Sequence, residues 1–182
     1  MQEEIYISVD IEASGPIPGD YSMLSLGACL VSDPTVSFFA ELKPVNRNFV
    51  PEAMAAAKLD IDELAVSGLA PDEVMRSLRA WVEQNAAGGK PVFVGFNACF
   101  DWSFVNWYFH HFLNENPFGF SALDIKAYYM GLSGRAWGET TSSQLPQHLW
   151  HDQSLTHHAL EDARAQARLF QKLLNERRLA GQ

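Results

Sequence analysis

Asp10 and Glu12 are separated by a single residue in a run, Glu4 to Glu12, where Ile5, Ile7, Val9 and Ile11 alternate with Tyr6, Ser8, Asp10 and Glu12. That alternation has the period of a strand with one face in the core, so both carboxylates project from one face with Cα atoms about 7 Å apart, within reach of one cation. Two uncompensated acids on a strand otherwise built from Ile and Val oppose folding, because burial and mutual repulsion both disfavour ionisation. A divalent cation resolves that conflict, whereas an Asp-x-Glu at an exposed strand end needs none. Asp101 follows the Gly95-Phe96-Asn97 end of a short strand and opens an aromatic-rich helix, where capping or stabilising the first turn is its ordinary use. Asp162 lies in an alanine-striped last helix expected to rest on the sheet, where an unpaired carboxylate is costly. Hard oxygen donors from three regions of the chain suit Mg²⁺ or Mn²⁺ better than zinc.

His157 and His158 offer a candidate base. On a continuous helix His158 and Asp162 share a face at i, i+4, while His157 and Asp162 point roughly 140° apart. The preference reverses if His157 precedes the first regular turn, on a loop able to fold over the site. Neighbouring histidines also occur with one solvated, one partly packed and neither reactive.

The elements that must gather these groups follow from punctuation and periodicity. Strands are predicted from Met23 to Val31 and from Val36 to Leu42, and the short connections through Pro18-Gly19-Asp20 and Asp33-Pro34 imply an antiparallel meander with the first strand. Pro51 opens a short alanine-rich helix. Pro71 opens a longer one carrying Val74, Leu78, Trp81 and Val82, ended by Gly88 and Gly89. A strand from Pro91 to Phe96 leads to a helix from Phe100 to Leu113 that is apolar on nearly every side. Such a helix is buried on several faces, and a second subunit would supply part of the cover, so a homodimer is expected. A brief strand ends near Asp124 and precedes a further helix. Residues 131–150, rich in Gly, Ser and Thr, are expected to be irregular and to include a mobile loop. The last helix, His157 to Arg177, presents Ala159, Ala163, Ala167 and Phe170 as a stripe suited to close packing on a sheet. The order implies an α/β sheet of mixed direction with helices on its faces, as one domain over residues 1–182.

Composition narrows the function. At 47 % hydrophobic and 19 % charged residues the chain is globular. Its net charge of −9, from 13 basic and 22 acidic residues, argues against coating long nucleic acid by diffuse attraction, so an anionic substrate must be met locally. Cys29 and Cys99 are isolated, which indicates neither a disulfide framework nor a structural zinc site. Neither a membrane-length apolar run nor the basic-then-apolar pattern of a signal peptide is present, and a cytoplasmic protein without membrane contact is expected.

The ordered set Asp10-x-Glu12, Asn97-Ala98-Cys99-Phe100-Asp101, Asp124 and His157-x-Ala159-Leu160-x-Asp162-Ala163 resembles the DEDDh branch of the 3′-5′ exonucleases, which includes ribonuclease T, oligoribonuclease and polymerase proofreading exonucleases. The match runs from the first strand to the last helix, and the Asn97 to Asp101 stretch is especially similar to ribonuclease T. The resemblance implies a ribonuclease H-like fold: a five-stranded mixed sheet, antiparallel meander then parallel strands, flanked by helices. It implies hydrolysis of the terminal phosphodiester with two divalent cations, Mg²⁺ or Mn²⁺, and release of nucleoside 5′-monophosphates. By analogy Asp10, Glu12 and Asp162 would hold the first cation and Asp10 would also contact the second. Asp101 would assist directly or through water, and His157 would be the general base.

The substrate-binding positions implied are Ala13, Met23, Asn97 and Phe100. Ala13 stands where Thr is usual and Phe96 where a Gly-His-Asn pattern is common. Gly15 and Pro16 replace the usual apolar residue that wedges against the last base, leaving Met23 as its substitute. Phe100 matches an aromatic that stacks on bases, though a helix-start Phe is also ordinary core. Partners implied are 3′ ends of single-stranded RNA or DNA, or short oligonucleotides, with Lys126, Arg135, Arg164 or Arg168 available to phosphates. One alternative is a catalytically weak nucleic-acid-binding subunit of a polymerase or repair complex, against which the intact acids and His157 speak; another is a different metal-dependent phosphoesterase acting on small nucleotides.

Overall fold

The computed structural model describes residues 2–150 and 156–180. Five strands, β1 (Glu4–Ala13), β2 (Met23–Leu30), β3 (Ser37–Glu41), β4 (Lys90–Gly95) and β5 (Ala122–Asp124), form one sheet in the order β3-β2-β1-β4-β5. β1, β2 and β3 make the expected antiparallel meander, and β4 and β5 add to β1 in parallel. Six helices connect or cover them: α1 (Pro51–Ala57), α2 (Ile61–Ser67), α3 (Pro71–Ala86), α4 (Cys99–Leu113), α5 (Ile125–Ser133) and α6 (Ala159–Ala180). None of the described helices is long and apolar enough to cross a membrane.

The strand period decides what each face of β1 meets. Ile7, Val9 and Ile11 pack with Val74, Met75, Leu78 and Val82 of α3 and Phe104, Val105, Tyr108 and Phe109 of α4. The alternate residues face α6, whose Ala163, Ala167, Phe170 and Leu173 build a second core with Cys29, Val94 and Tyr129. Both faces are thus covered, as a sheet with helices on its faces requires, and Ser8 is fully buried. The polar period of β1 marks a face reserved for side-chain chemistry under α6.

Close approach of α6 depends on small residues. Gly27 of β2 pairs with Asp10 of β1, and a Cβ at Gly27 would lie 2.3 Å from the backbone nitrogen of Leu160. Ala159, Ala163 and Ala167 have no exposed surface. The missing side chain at Gly27 therefore lets the first turn of α6 sit beside the acids of β1.

Several expectations change. α2 is a helix the sequence reading omitted, started by Asp60, whose carboxylate accepts from the backbone of Asp62 and Glu63. Residues 131–133 complete α5 and residues 134–150 are irregular, with short 3-10 turns at Trp137–Glu139 and Ser142–Gln144, but they are docked and not a free loop: Thr140 is fully buried and Leu145 and Leu149 join the second core. Of the aromatics of α4, Phe104, Tyr108 and Phe109 are fully covered inside the chain, while Trp102, Trp107 and Phe112 are half-buried. Phe118 meets Phe109 and Phe93 edge-on, and Trp107 lies flat on the ring of His111 at 4.3 Å.

Candidate active site

The carboxylates of Asp10, Glu12 and Asp162 converge, each offering an oxygen within 4.8 Å of the others. Asp10 and Glu12 share a face because β1 is extended. The register of β1 against β2 shifts between Glu12 and Ala13, an irregularity of the kind that re-aims side chains at functional sites. Asp162 arrives from the first turn of α6 and is 3 % exposed.

Asp101 lies outside that group of three. Pairing of β1 with β4 ends at Ser8 and Val94, so the backbone N–H of Ile11 has no strand partner on that side and donates instead to Asp101 Oδ1 at 3.0 Å. A residue of the first turn of α4 is thereby tied between Asp10 and Glu12.

The electrostatics are those of a site short of positive charge. Burial raises the Asp10 carboxyl well above the usual range, and Asp101, Asp162 and Glu12 push it further, against one hydrogen bond from Gln166. Burial, then Asp162, raises Glu12 from 4.5 to about 7. Burial likewise carries Asp101 to about 7, with the Ile11 N–H opposing and Glu12 and Asp124 adding. Oxygen donors crowded this closely, each destabilising its neighbours' charge, fit a hard divalent cation that would reverse the sign of the local field.

α6 begins at Ala159, so both histidines precede its first regular turn. His157 adopts a left-handed φ of 56° and its N–H donates to Asp162 Oδ2 at 2.9 Å. The N–H and hydroxyl of Thr156 donate to Asp162 Oδ1 at 2.8 and 3.0 Å. The carboxylate of Asp162 therefore also shapes the turn that carries His157. The His158 ring stacks on Phe39 at 4.8 Å, an aromatic engagement outside the acidic group. His158 caps α6, its carbonyl accepting from the Asp162 N–H at 3.0 Å, while its ring is turned to Phe39.

The substrate-side residues divide. Asn97 is exposed at a φ of 63°, a left-handed conformation that Asn tolerates well, and its N–H donates to Asp124 Oδ1 at 3.0 Å. Asp124 also caps α5 through Lys126 N, so it is a brace for the β4–α4 turn. Phe100 is 37 % exposed, and its ring packs at 5.3 Å against that of the buried Phe104. Ala13 is buried and pairs with Met23 at the end of β1. Met23 does not take the wedge position: it has no exposed surface, and its N–H donates to the buried Tyr108 hydroxyl. The exposed apolar side chain of that region is Ile17, 53 % exposed on a loop pinned by hydrogen bonds between Ser14 and Ser22 and from Asn46 to Gly19. Its signal was an Ile between two prolines.

Among the candidate phosphate ligands, Arg164 is committed elsewhere, to Pro34 O, Ser37 Oγ and Glu161. Lys126 Nζ sits 4.2 Å over the Trp137 ring. Gln166 was missed. It is 2 % exposed and joins Asp10 to the backbone of Phe96, and its position one helical turn after Asp162 was the available sign.

A mixed sheet whose central strand carries paired acids, completed by an acid and a histidine turn at the last helix, defines a ribonuclease H-like nuclease. No family model matches the chain. The 3′-5′ DNA exonuclease Cap18 of Escherichia coli is 47 % identical over 169 residues, covering 92 % of this chain and 90 % of that protein. The chain belongs to this family of DEDD-type 3′-5′ exonucleases and is an enzyme of that activity. Among solved structures, a 3′-exonuclease described with a histone mRNA stem-loop superposes with a TM-score of 0.76 at 14 % identity, over 94 % of this chain and 64 % of that one. A full-length 3′-exonuclease gives 0.74 at 14 % identity, over 97 % and 84 %. Escherichia coli exonuclease I in complex with a dT13 oligonucleotide gives 0.71 at 15 % identity, over 94 % of this chain but only 41 % of its own. These likenesses show the shared fold.

Proposed function

We propose that the enzyme is a metal-dependent exonuclease that removes nucleoside 5′-monophosphates from the 3′ end of single-stranded DNA. The meeting of Asp10, Glu12 and Asp162 within 4.8 Å carries the reading. DNA is favoured over RNA by the high identity to Cap18, a relative named for DNA.

In this reading Asp10, Glu12 and Asp162 would hold the divalent cations, with Asp101 assisting directly or through water. Two such cations, when bound, supply Lewis-acid stabilisation of the attacking and leaving oxygens. His157, on its turn beside Asp162, takes the proton from the attacking water at a ring nitrogen. The Asn97 turn and the Ala13 backbone hold the terminal nucleotide. Phe100 offers an aromatic face, worth about 1–3 kcal/mol per stacked base, and Ile17 an apolar edge. The net charge of −9 suits short single strands held by a few local contacts better than long polymer.

The test is incubation of the purified protein with 5′-labelled single-stranded DNA, RNA and dinucleotides, with Mn²⁺ or with chelator. Mn²⁺-dependent laddering of the DNA from its 3′ end is expected. Laddering of RNA alone, or an undiminished rate in chelator, contradicts the reading.

A further inference from the structure

The side chain of Gln166 is engaged at both ends. Nε2 donates to Asp10 Oδ1 at 2.5 Å and Oε1 accepts from the N–H of Phe96 at 2.9 Å. The amide orientation follows from the Phe96 N–H, which can only donate and so takes Oε1, leaving Nε2 to face Asp10. One turn either side of Gln166 on α6 lie Asp162, Ala163, Leu169 and Phe170, all buried, so apart from the site's own acid the local packing habit is apolar. A long polar side chain at 2 % exposure departs from that habit and is tolerated because both amide atoms are paired. Its chemistry also suits a cation site: an uncharged donor supports an Asp10 carboxylate without supplying the positive charge that a lysine or arginine would, and so does not compete with a metal ion. The second bond reaches Phe96, adjacent to Asn97, whose own N–H is held by Asp124.

We propose that Gln166 is a positioning residue that fixes the Asp10 carboxylate for cation binding and couples its orientation to the Phe96–Asn97 turn. The inference rests on the metal-dependent reading above. Hydrogen-bond partners of metal ligands typically contribute about 10–100-fold in metal affinity or activity.

The test uses Gln166→Leu and the unbranched Gln166→Met, which keep apolar bulk on α6 and remove both bonds. Mn²⁺ binding is measured by calorimetry without substrate, melting temperature in chelator, and kcat and KM across Mn²⁺ concentrations. Mn²⁺ affinity is expected to fall about 10–100-fold, with kcat recovering as Mn²⁺ is raised. Wild-type Mn²⁺ affinity in a folded variant, with only the melting temperature lowered, overturns the inference and leaves the metal site standing. A wild-type protein that takes up no Mn²⁺ overturns the metal reading and this inference with it.

Discussion

Neutralising one acid of the site should strengthen the metal-free fold. Glu12 titrates at about 7 in the folded chain against an ordinary 4.5, with burial as the larger cause and Asp162 next. The native state therefore holds a proton on Glu12 through the window from about 4.5 to about 7, where the unfolded chain has released it. Fewer protons on the unfolded state mean that stability falls as pH rises across that window and then levels off. At full weight the difference corresponds to about 3 kcal/mol, and solvent screening of a half-buried side chain reduces it to about 1–2 kcal/mol. Glu12→Gln removes the penalty. In chelator at pH 8 the variant should unfold about 1–2 kcal/mol less readily, roughly 2–4 °C in melting temperature for each kcal/mol in a chain of this length. The advantage should vanish near pH 4.5, where both proteins are neutral at this position. It should reverse in excess Mn²⁺, because a ligand at about 100 times its dissociation constant stabilises wild type by about 2.7 kcal/mol and the variant has lost a donor. Urea unfolding at pH 4.5, 6 and 8, with chelator and with Mn²⁺, reads all three. A Glu12→Gln protein no more stable than wild type in chelator at pH 8 refutes the electrostatic argument.

His157→Ala should lower kcat by about 10²- to 10⁴-fold and His158→Ala far less, since one ring sits on the turn that Asp162 holds and the other stacks on Phe39. Equal losses, or the reverse order, in steady-state hydrolysis would displace His157 as the base. Gly27→Ala places a methyl group 2.3 Å from Leu160 N and 2.4 Å from Leu160 Cα, so α6 must lift. A loss of about 1–3 kcal/mol in urea unfolding is expected, together with weaker Mn²⁺ binding as Asp162 withdraws from Asp10. A stable variant with unchanged Mn²⁺ affinity would show that the close approach does not set the site.

The alternation of β1, the meander and the alanine stripe of α6 were all legible in the sequence, because each is a local period imposed by one packing surface. The choice between His157 and His158 was not. It depended on whether the helix started before or after them, and helix boundaries are set by capping contacts, here those of Asp162, more than by the side chains' own preferences. Met23 looked available because an apolar residue at a strand start reads the same whether it faces a ligand or a core. Only the assembled sheet shows it covered while Ile17 is left outside. Gln166 escaped notice because a glutamine in a helix is ordinarily a surface residue. Its burial shows only where α6 meets the sheet, through contacts to Asp10 and Phe96 far away in the chain. The short α2 was obscured by its length, although Asp60 followed by Asp62 and Glu63 carried the acidic start that helices favour.

The central claim is that Asp10, Glu12 and Asp162 share a cation. Crystals grown with Mn²⁺ and measured for anomalous scattering test it most directly. The account predicts a peak in contact with oxygens of all three carboxylates; well-ordered carboxylates with no peak between them, or Mn²⁺ bound only elsewhere on the protein, would contradict it.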